Sequence, residues 1–312
     1  MARHYLVFVH GIGERQPDKP SKESHLEADV VLNRSYTTLW NNLAQNFEQL
    51  TSSKFNKAFA PVYTDWHTEQ INLAESTIYS AAFPELAKRK WSLICPLRNF
   101  TTFFLGDVIA YVSKDVNVIR RTVWNQMWDQ LQHPLKEENA TYSIIAHSLG
   151  TVVAFDYLFY LLKHDKLFVE ELNPGMAISP EDRQLLRQRF RFFFTMGSPI
   201  GLFMLREGRL WADGEPFQKI YNPIRGENCT WLNFYDSKDF IAYPLKGLFN
   251  TNRDSNQDCL PEDIPVWSGW TPFGAHTNYW KNKEVARRIV ETLSQSPKLI
   301  DREPGKVVWS PG

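Results

Sequence analysis

The feature that most constrains the fold is the stretch Leu149 to Leu162, Leu-Gly-Thr-Val-Val-Ala-Phe-Asp-Tyr-Leu-Phe-Tyr-Leu-Leu, which is apolar on nearly every side. A helix with so little polar face has to lie against a sheet and other helices, away from water. Directly before it stands a β-rich run, Thr141 to Ala146, and only His147 and Ser148 separate the two. A buried strand that turns at once into a buried helix calls for an α/β architecture.

The remaining segments fit that plan. Tyr5 to Val9 is a short apolar run that enters the Gly-rich turn His10-Gly11-Ile12-Gly13, and Glu14 to Asn33, with Pro17 and Pro20, reads as a loop. Ser35 to Leu50 carries Leu39, Leu43, Phe47 and Leu50 at helical spacing, and Phe59 to Trp66 reads as a second strand. Thr68 to Leu131 is predominantly helical, broken near Pro84 and Pro96. Its length exceeds an ordinary crossover, so residues 68–134 are expected to include a helical cap inserted over one end of the sheet. Ser179-Pro180-Glu181-Asp182 is a good helix start, running to Phe190. Arg191 to Met196, Thr230 to Tyr235 and Ile264 to Trp267 read as further strands, and Asn278 to Leu293 as a closing amphipathic helix. The alternation predicts a mainly parallel sheet with helices on both faces, in one domain over residues 1–312.

Composition limits the function. Lys+Arg and Asp+Glu both total 35, so the formal charge is zero and the basic excess needed for nucleic acid is missing. Cys95, Cys229 and Cys259 are an odd number without metal-ligand spacing, which predicts reduced structural thiols and a cytoplasmic chain. Arg3-His4 leads straight into a core strand, with no signal-peptide pattern expected there. The most apolar long stretch, Phe100 to Val112, carries Asp107 and is too short to span a bilayer. The 21 Phe, 12 Tyr and 11 Trp mean a bulky core at least, and some are candidates to line a pocket for an apolar substrate.

Ser148 carries the chemistry in this reading. A serine nucleophile on a sharp strand-to-helix turn needs small residues two before and two after it; here these are Ala146 and Gly150, an A-x-S-x-G in place of the commoner G-x-S-x-G. An ordinary helix-capping serine would fit the same junction. His147 reads as a packing residue that points away from the hydroxyl. The oxyanion donors would be the amide of Leu149, which opens the helix, and that of Ile12 in the first glycine turn, with Gly11 as the neighbouring alternative. No Lys-Ser/Thr pair follows that turn, so it is not a phosphate loop.

The base should lie late in the chain. After Ser148 only His164 and His276 remain, and His164 sits a full helix length away. His276, in a loop before the last helix, is therefore the expected base. For the acid, Asp236 directly follows a strand and is placed to cap its turn, while Asp239 lies further into the loop and is preferred.

With these residues in place, the chain resembles the α/β-hydrolase superfamily from Tyr5 to Leu293. Val9-His10-Gly11-Ile12-Gly13, Leu105-Gly106-Asp107-Val108, Ala146-His147-Ser148-Leu149-Gly150 and Phe194 to Leu202 are similar to its intracellular, phospholipase A1-like branch, which includes the DDHD-domain group. Asp239-Phe240-Ile241-Ala242-Tyr243 resembles that branch's D-P-V-A-Y, with Phe240 in place of proline, and His276-Thr277-Asn278-Tyr279-Trp280 its H-x-x-Y-W. The chain is shorter than typical eukaryotic members. The resemblance implies the acid at Asp239, and a carboxylic-ester hydrolase that uses neither metal nor organic cofactor. Its substrate would be a lipid or another acyl ester, with contact to a membrane surface left open. A thioesterase or acyltransferase with the same three residues, or a non-catalytic binding protein on this fold, are the competing expectations.

Overall fold

A computed structural model describes residues 3–11, 34–64, 116–163, 178–203, 220–221, 229–250 and 260–295. Its framework is one six-stranded sheet. The strands are β1 (His4–Val9), β2 (Phe59–Thr64), β3 (Thr141–His147), β4 (Phe190–Met196), β5 (Thr230–Tyr235) and β6 (Pro261–Pro265). Their spatial order is β2-β1-β3-β4-β5-β6, and every neighbouring pair is parallel. The long helices are α1 (Arg34–Thr51), α2 (Val116–Leu131), α3 (Leu149–Lys163) and α4 (Pro180–Arg189), followed by the short α5 (Pro272–Thr277) and by α6 (Lys283–Gln295).

The apolar runs are continuous because both faces of the sheet are covered. Leu6 and Phe8 of β1 point into a core with α1 and α6, where Leu39, Trp40, Leu43 and Phe47 meet Val285, Ile289 and Leu293. Val7 and Val9 point the other way, into a core with α2, α3 and α4. Each large apolar side chain so buried contributes about 1.5–3 kcal/mol. Residues Thr151 to Leu161 of α3 are all buried, as the lack of a polar face requires. The one carboxylate in that stretch, Asp156, is ion-paired with Arg120 of α2 at 2.6 Å. The Arg120 guanidinium also lies 5.0 Å from the centre of the Tyr160 ring.

Three local differences from the sequence reading have plain causes. The last strand is Pro261–Pro265, earlier than Ile264 to Trp267, because Asp263 is used as a side-chain acceptor from Asn233, Leu245 and Lys246. The last helix begins at Lys283, after a 3₁₀ turn at Tyr279–Lys281, and Asn282 caps it by accepting from the Glu284 amide at 2.9 Å. Of the expected cap, residues 68–115 lie outside the described residues; the helix that follows, α2, lies on the sheet beside β2 and α3. Ser179 caps α4 as expected, accepting from the Asp182 amide at 3.0 Å.

The cysteine expectation is corrected. Cys229 is disulfide-bonded, to a partner outside the described residues, so the thiols are not all reduced.

The strand order places the reversal of direction between β1 and β3: the chain moves outward to β2 on one side, then from β3 through β6 on the other. In open parallel sheets the crevice at such a reversal, beyond the carboxyl ends of the strands, is where ligands bind. Gly11 follows β1 and Ser148 follows β3, on either side of it.

Candidate active site

Ser148 is fully buried at the junction of β3 and α3 and holds a left-handed backbone with φ 53°. A non-glycine residue there costs about 1–3 kcal/mol, which its surroundings must over-determine. They do so from both sides. The Ser148 amide donates to Met196 O at 2.9 Å, and its carbonyl accepts from the Thr151 amide at 2.9 Å and from Thr151 Oγ1 at 2.7 Å.

The small neighbours have geometric reasons. A Cβ on Gly150 would lie 2.3 Å from His10 O and 2.6 Å from Val9 O, so the first turn of α3 presses directly on the end of β1. A Cβ on Gly11 would lie 2.3 Å from Ser148 Cβ and 2.9 Å from its Oγ. The Gly11 backbone therefore stands against the hydroxyl. Leu149 opens α3, so its N–H has no partner within the helix. Ile12 lies outside the described residues.

His276, near the end of α5, brings its Nε2 to 2.8 Å from Ser148 Oγ. Its Nδ1 is 2.9 Å from Asp239 Oδ2. With the proton on Nδ1 facing the carboxylate, Nε2 is left to accept from the serine hydroxyl. Asp239 also accepts from the Ile241 amide at 3.2 Å and from the Tyr279 hydroxyl at 3.0 Å. Asp236 is held apart from the imidazole. Its carboxylate accepts from the Lys238 amide at 2.9 Å and the Ser268 amide at 2.5 Å, tying the loop after β5 to the loop after β6.

Three further residues belong to this cluster and were not singled out for it. The Tyr279 hydroxyl accepts from the Asp236 amide at 2.8 Å while donating to Asp239, so it sets the spacing of both aspartates. Burial and then the Asp239 charge push the Tyr279 phenol far above its ordinary value, keeping the donor protonated. Gly197 is left-handed (φ 57°), and a Cβ there would lie 2.8 Å from the Tyr279 ring, 3.1 Å from Asp239 Oδ2 and 3.3 Å from His276 Nδ1. His147 donates from Nε2 to the His276 carbonyl at 2.7 Å. Burial, with the His276 ring adding to it, holds His147 well below the usual histidine range, so it is a neutral donor. It packs against the backbone of His276. The spacing His276-x-x-Tyr279 was a usable signal for the tyrosine; the contacts of His147 and Gly197 arise from the topology alone.

A buried hydroxyl–imidazole–carboxylate chain can transfer the hydroxyl proton and stabilise the imidazolium that results. Among the described residues no group of three or more His, Cys, Asp or Glu is arranged to hold a metal ion. Nor is any described helix long and apolar enough to cross a membrane.

No family model matches the chain. It is 25% identical over 177 residues to a protein of Schizosaccharomyces pombe named a probable mitochondrial phospholipase, covering 54% of this chain and 20% of the relative. It is 23% identical over 297 residues to a Saccharomyces cerevisiae protein also named a probable mitochondrial phospholipase, covering 89% of this chain and 38% of the relative. The chain thus spans well under half the length of these curated relatives. Both are named mitochondrial, which overturns the expectation of a cytoplasmic chain, an expectation that rested on cysteines of which one is now seen oxidised. What the comparisons give is similarity to two proteins named for hydrolysing phospholipids, carried by an α/β fold.

Proposed function

We propose that the protein is a serine hydrolase of the α/β-hydrolase type that cleaves carboxylic esters of lipids. The observation that carries this reading is the unbroken chain from Ser148 Oγ through His276 to Asp239, at 2.8 and 2.9 Å, behind a serine in a left-handed strand-to-helix turn. The phospholipase names of the two relatives support a lipid ester over other acyl compounds. In this reading the sheet and its helices are one catalytic domain over residues 1–312, and the expected insertion is confined to the part of 68–134 that precedes α2.

Ser148 Oγ attacks the acyl carbonyl while its proton passes to His276 Nε2, and Asp239 stabilises the imidazolium. The negative oxygen is met by the Leu149 amide and by an amide of the Gly11–Ile12 turn. Collapse breaks the ester bond, and the alcohol leaves with the proton from His276. Water then attacks the acyl-serine, giving its proton to His276, and the fatty acid departs as Ser148 recovers its hydrogen. Tyr279 and His147 act as positioning residues, fixing the carboxylate and the imidazole backbone.

A fluorophosphonate probe together with release of fatty acid from phosphatidylcholine tests this. Wild type is expected to be labelled and to release fatty acid, and Ser148→Ala to do neither while remaining folded. Absence of labelling on folded wild-type protein overturns the reading in favour of a binding protein.

A further inference from the structure

Eight large hydrophobic side chains are exposed among the described residues, and six of them follow the carboxyl ends of β4, β5 and β6. These are Leu202, Phe240, Tyr243, Trp267, Trp270 and Phe273; only Leu50 and Val118 lie elsewhere. Single exposed apolar residues are ordinary, but several gathered on the loops at one end of a sheet are a candidate interaction surface. This is also the end that carries Ser148, and Phe240 and Phe273 stand one and three residues from Asp239 and His276.

Trp270 is 80% exposed and Trp267 58%, yet the loop beneath them is fixed. Ser268 is buried and its amide donates to Asp236, while Asn282 Nδ2 donates to the Trp267 carbonyl at 2.9 Å. A Cβ on Gly269 would lie 2.6 Å from the Ala275 amide nitrogen, so this loop is packed tightly onto α5. Outward indoles on a packed loop are held out by construction. The two rings meet edge to face at 5.3 Å, and Lys238 Nζ lies 4.9 Å from the centre of the Trp270 ring.

We infer that this rim docks the protein on a phospholipid surface, with Trp267 and Trp270 entering the headgroup boundary and Lys238 meeting lipid phosphate. Tryptophan is suited to that boundary because its ring is apolar and its N–H is polar. Charge points the same way. Among the described residues, segments 237–243 and 266–278 expose Lys238, whereas their only carboxylate, Asp239, is buried against His276, so these two segments present no exposed acid to repel anionic lipid. The choice of a lipid surface as the occupant rests in part on the lipid-ester reading of the adjacent site. Docking would deliver the ester to Ser148 without full extraction of the lipid into water.

The test uses the full chain carrying Ser148→Ala, so that lipid is not consumed, and vesicles of phosphatidylcholine with or without phosphatidylglycerol. Co-sedimentation and a blue shift of tryptophan emission are expected with both, more strongly with the anionic mixture. Adding Trp267→Ser and Trp270→Ser should weaken binding to both by at least about tenfold. Lys238→Glu should weaken binding to both, and most strongly to the anionic vesicles. With Ser148 restored, the double tryptophan variant should cleave p-nitrophenyl butyrate in solution as wild type does, and lose cleavage of vesicle lipid. Failure of the Ser148→Ala protein to bind either vesicle, or unchanged binding by the folded double variant, overturns the proposal. So does a dimer that the tryptophan substitutions dissolve, without vesicle binding, since the occupant would then be a second copy. Vesicle binding without ester cleavage by wild type would sink the hydrolase reading and leave the docking surface standing.

Discussion

Two buried histidines sit at opposite ends of the same sheet, and they differ in what faces them. His4 begins β1, at the amino end, with Nδ1 2.7 Å from Thr141 Oγ1 and Nε2 2.8 Å from Ser143 Oγ. His276 sits beyond the carboxyl ends, between one hydroxyl and one carboxylate. Both are almost wholly shielded from solvent and both ring nitrogens of each are engaged. Burial, helped by Arg191, pulls His4 down to about 3, so between its two hydroxyls it stays neutral. Only the ring opposite a carboxylate is equipped to receive a proton and keep it through a reaction. Hydrogen-bond count does not separate a structural histidine from a candidate base; the charge of the second partner does.

The largest expected effect breaks the comparison outright. His276→Ala should lower ester turnover by about ten-thousandfold or more, and His4→Gln by no more than a few-fold, measured as kcat/KM on a soluble ester. A comparable loss from both would mean that the amino end takes part in the chemistry. Next in size is the carboxylate itself. Asp239→Asn should lower kcat about a thousandfold, because it removes the charge that favours the imidazolium. Asp236→Asn should leave kcat within about tenfold while reducing unfolding free energy by about 1–3 kcal/mol, since its two loop amides lose their acceptor. A reversed pattern would transfer the acid role to Asp236.

The substitution with the smallest effect on turnover sharpens the role of His4. Its folded value of about 3 lies below its unfolded value of 6.5, so the unfolded chain takes up the proton first. Stability should therefore be unaffected well above 6.5 and fall as the pH drops below it, with a slope of about one proton per molecule until the folded value is reached. His147, also shifted downward, acts in the same direction. Denaturant unfolding of wild type and His4→Gln across the acid range should show the shallower slope in the variant. Equal slopes would assign the acid sensitivity elsewhere.

The strands of the core were legible because a parallel sheet covered on both faces is written as near-continuous apolar runs, as in Val7-Phe8-Val9 and Phe192-Phe193-Phe194. The edge strand β6 was not, since Pro261, Glu262 and Asp263 look like a turn until Asn233 recruits the Asp263 carboxylate. At the site, Ser148, Asp239 and His276 were chosen from sequence and lie in one hydrogen-bonded chain. The choice was open to reading because each follows a strand or precedes a helix with a recognisable pattern. His147 and Gly197 were opaque for the opposite reason. Their partners are distant in sequence, and only the sheet order brings β3, β4 and the loop before α6 to one point.

Gly11, Gly150 and Gly197 have a consequence for how such a protein can diverge. Each fills a space in which a methyl group would meet backbone or one of the three linked side chains. These three positions therefore admit no side chain, and a library randomised there should return glycine at each. Any change in what the site accepts has to be written at other positions of the segments that leave the strands, away from these glycines and the three linked side chains.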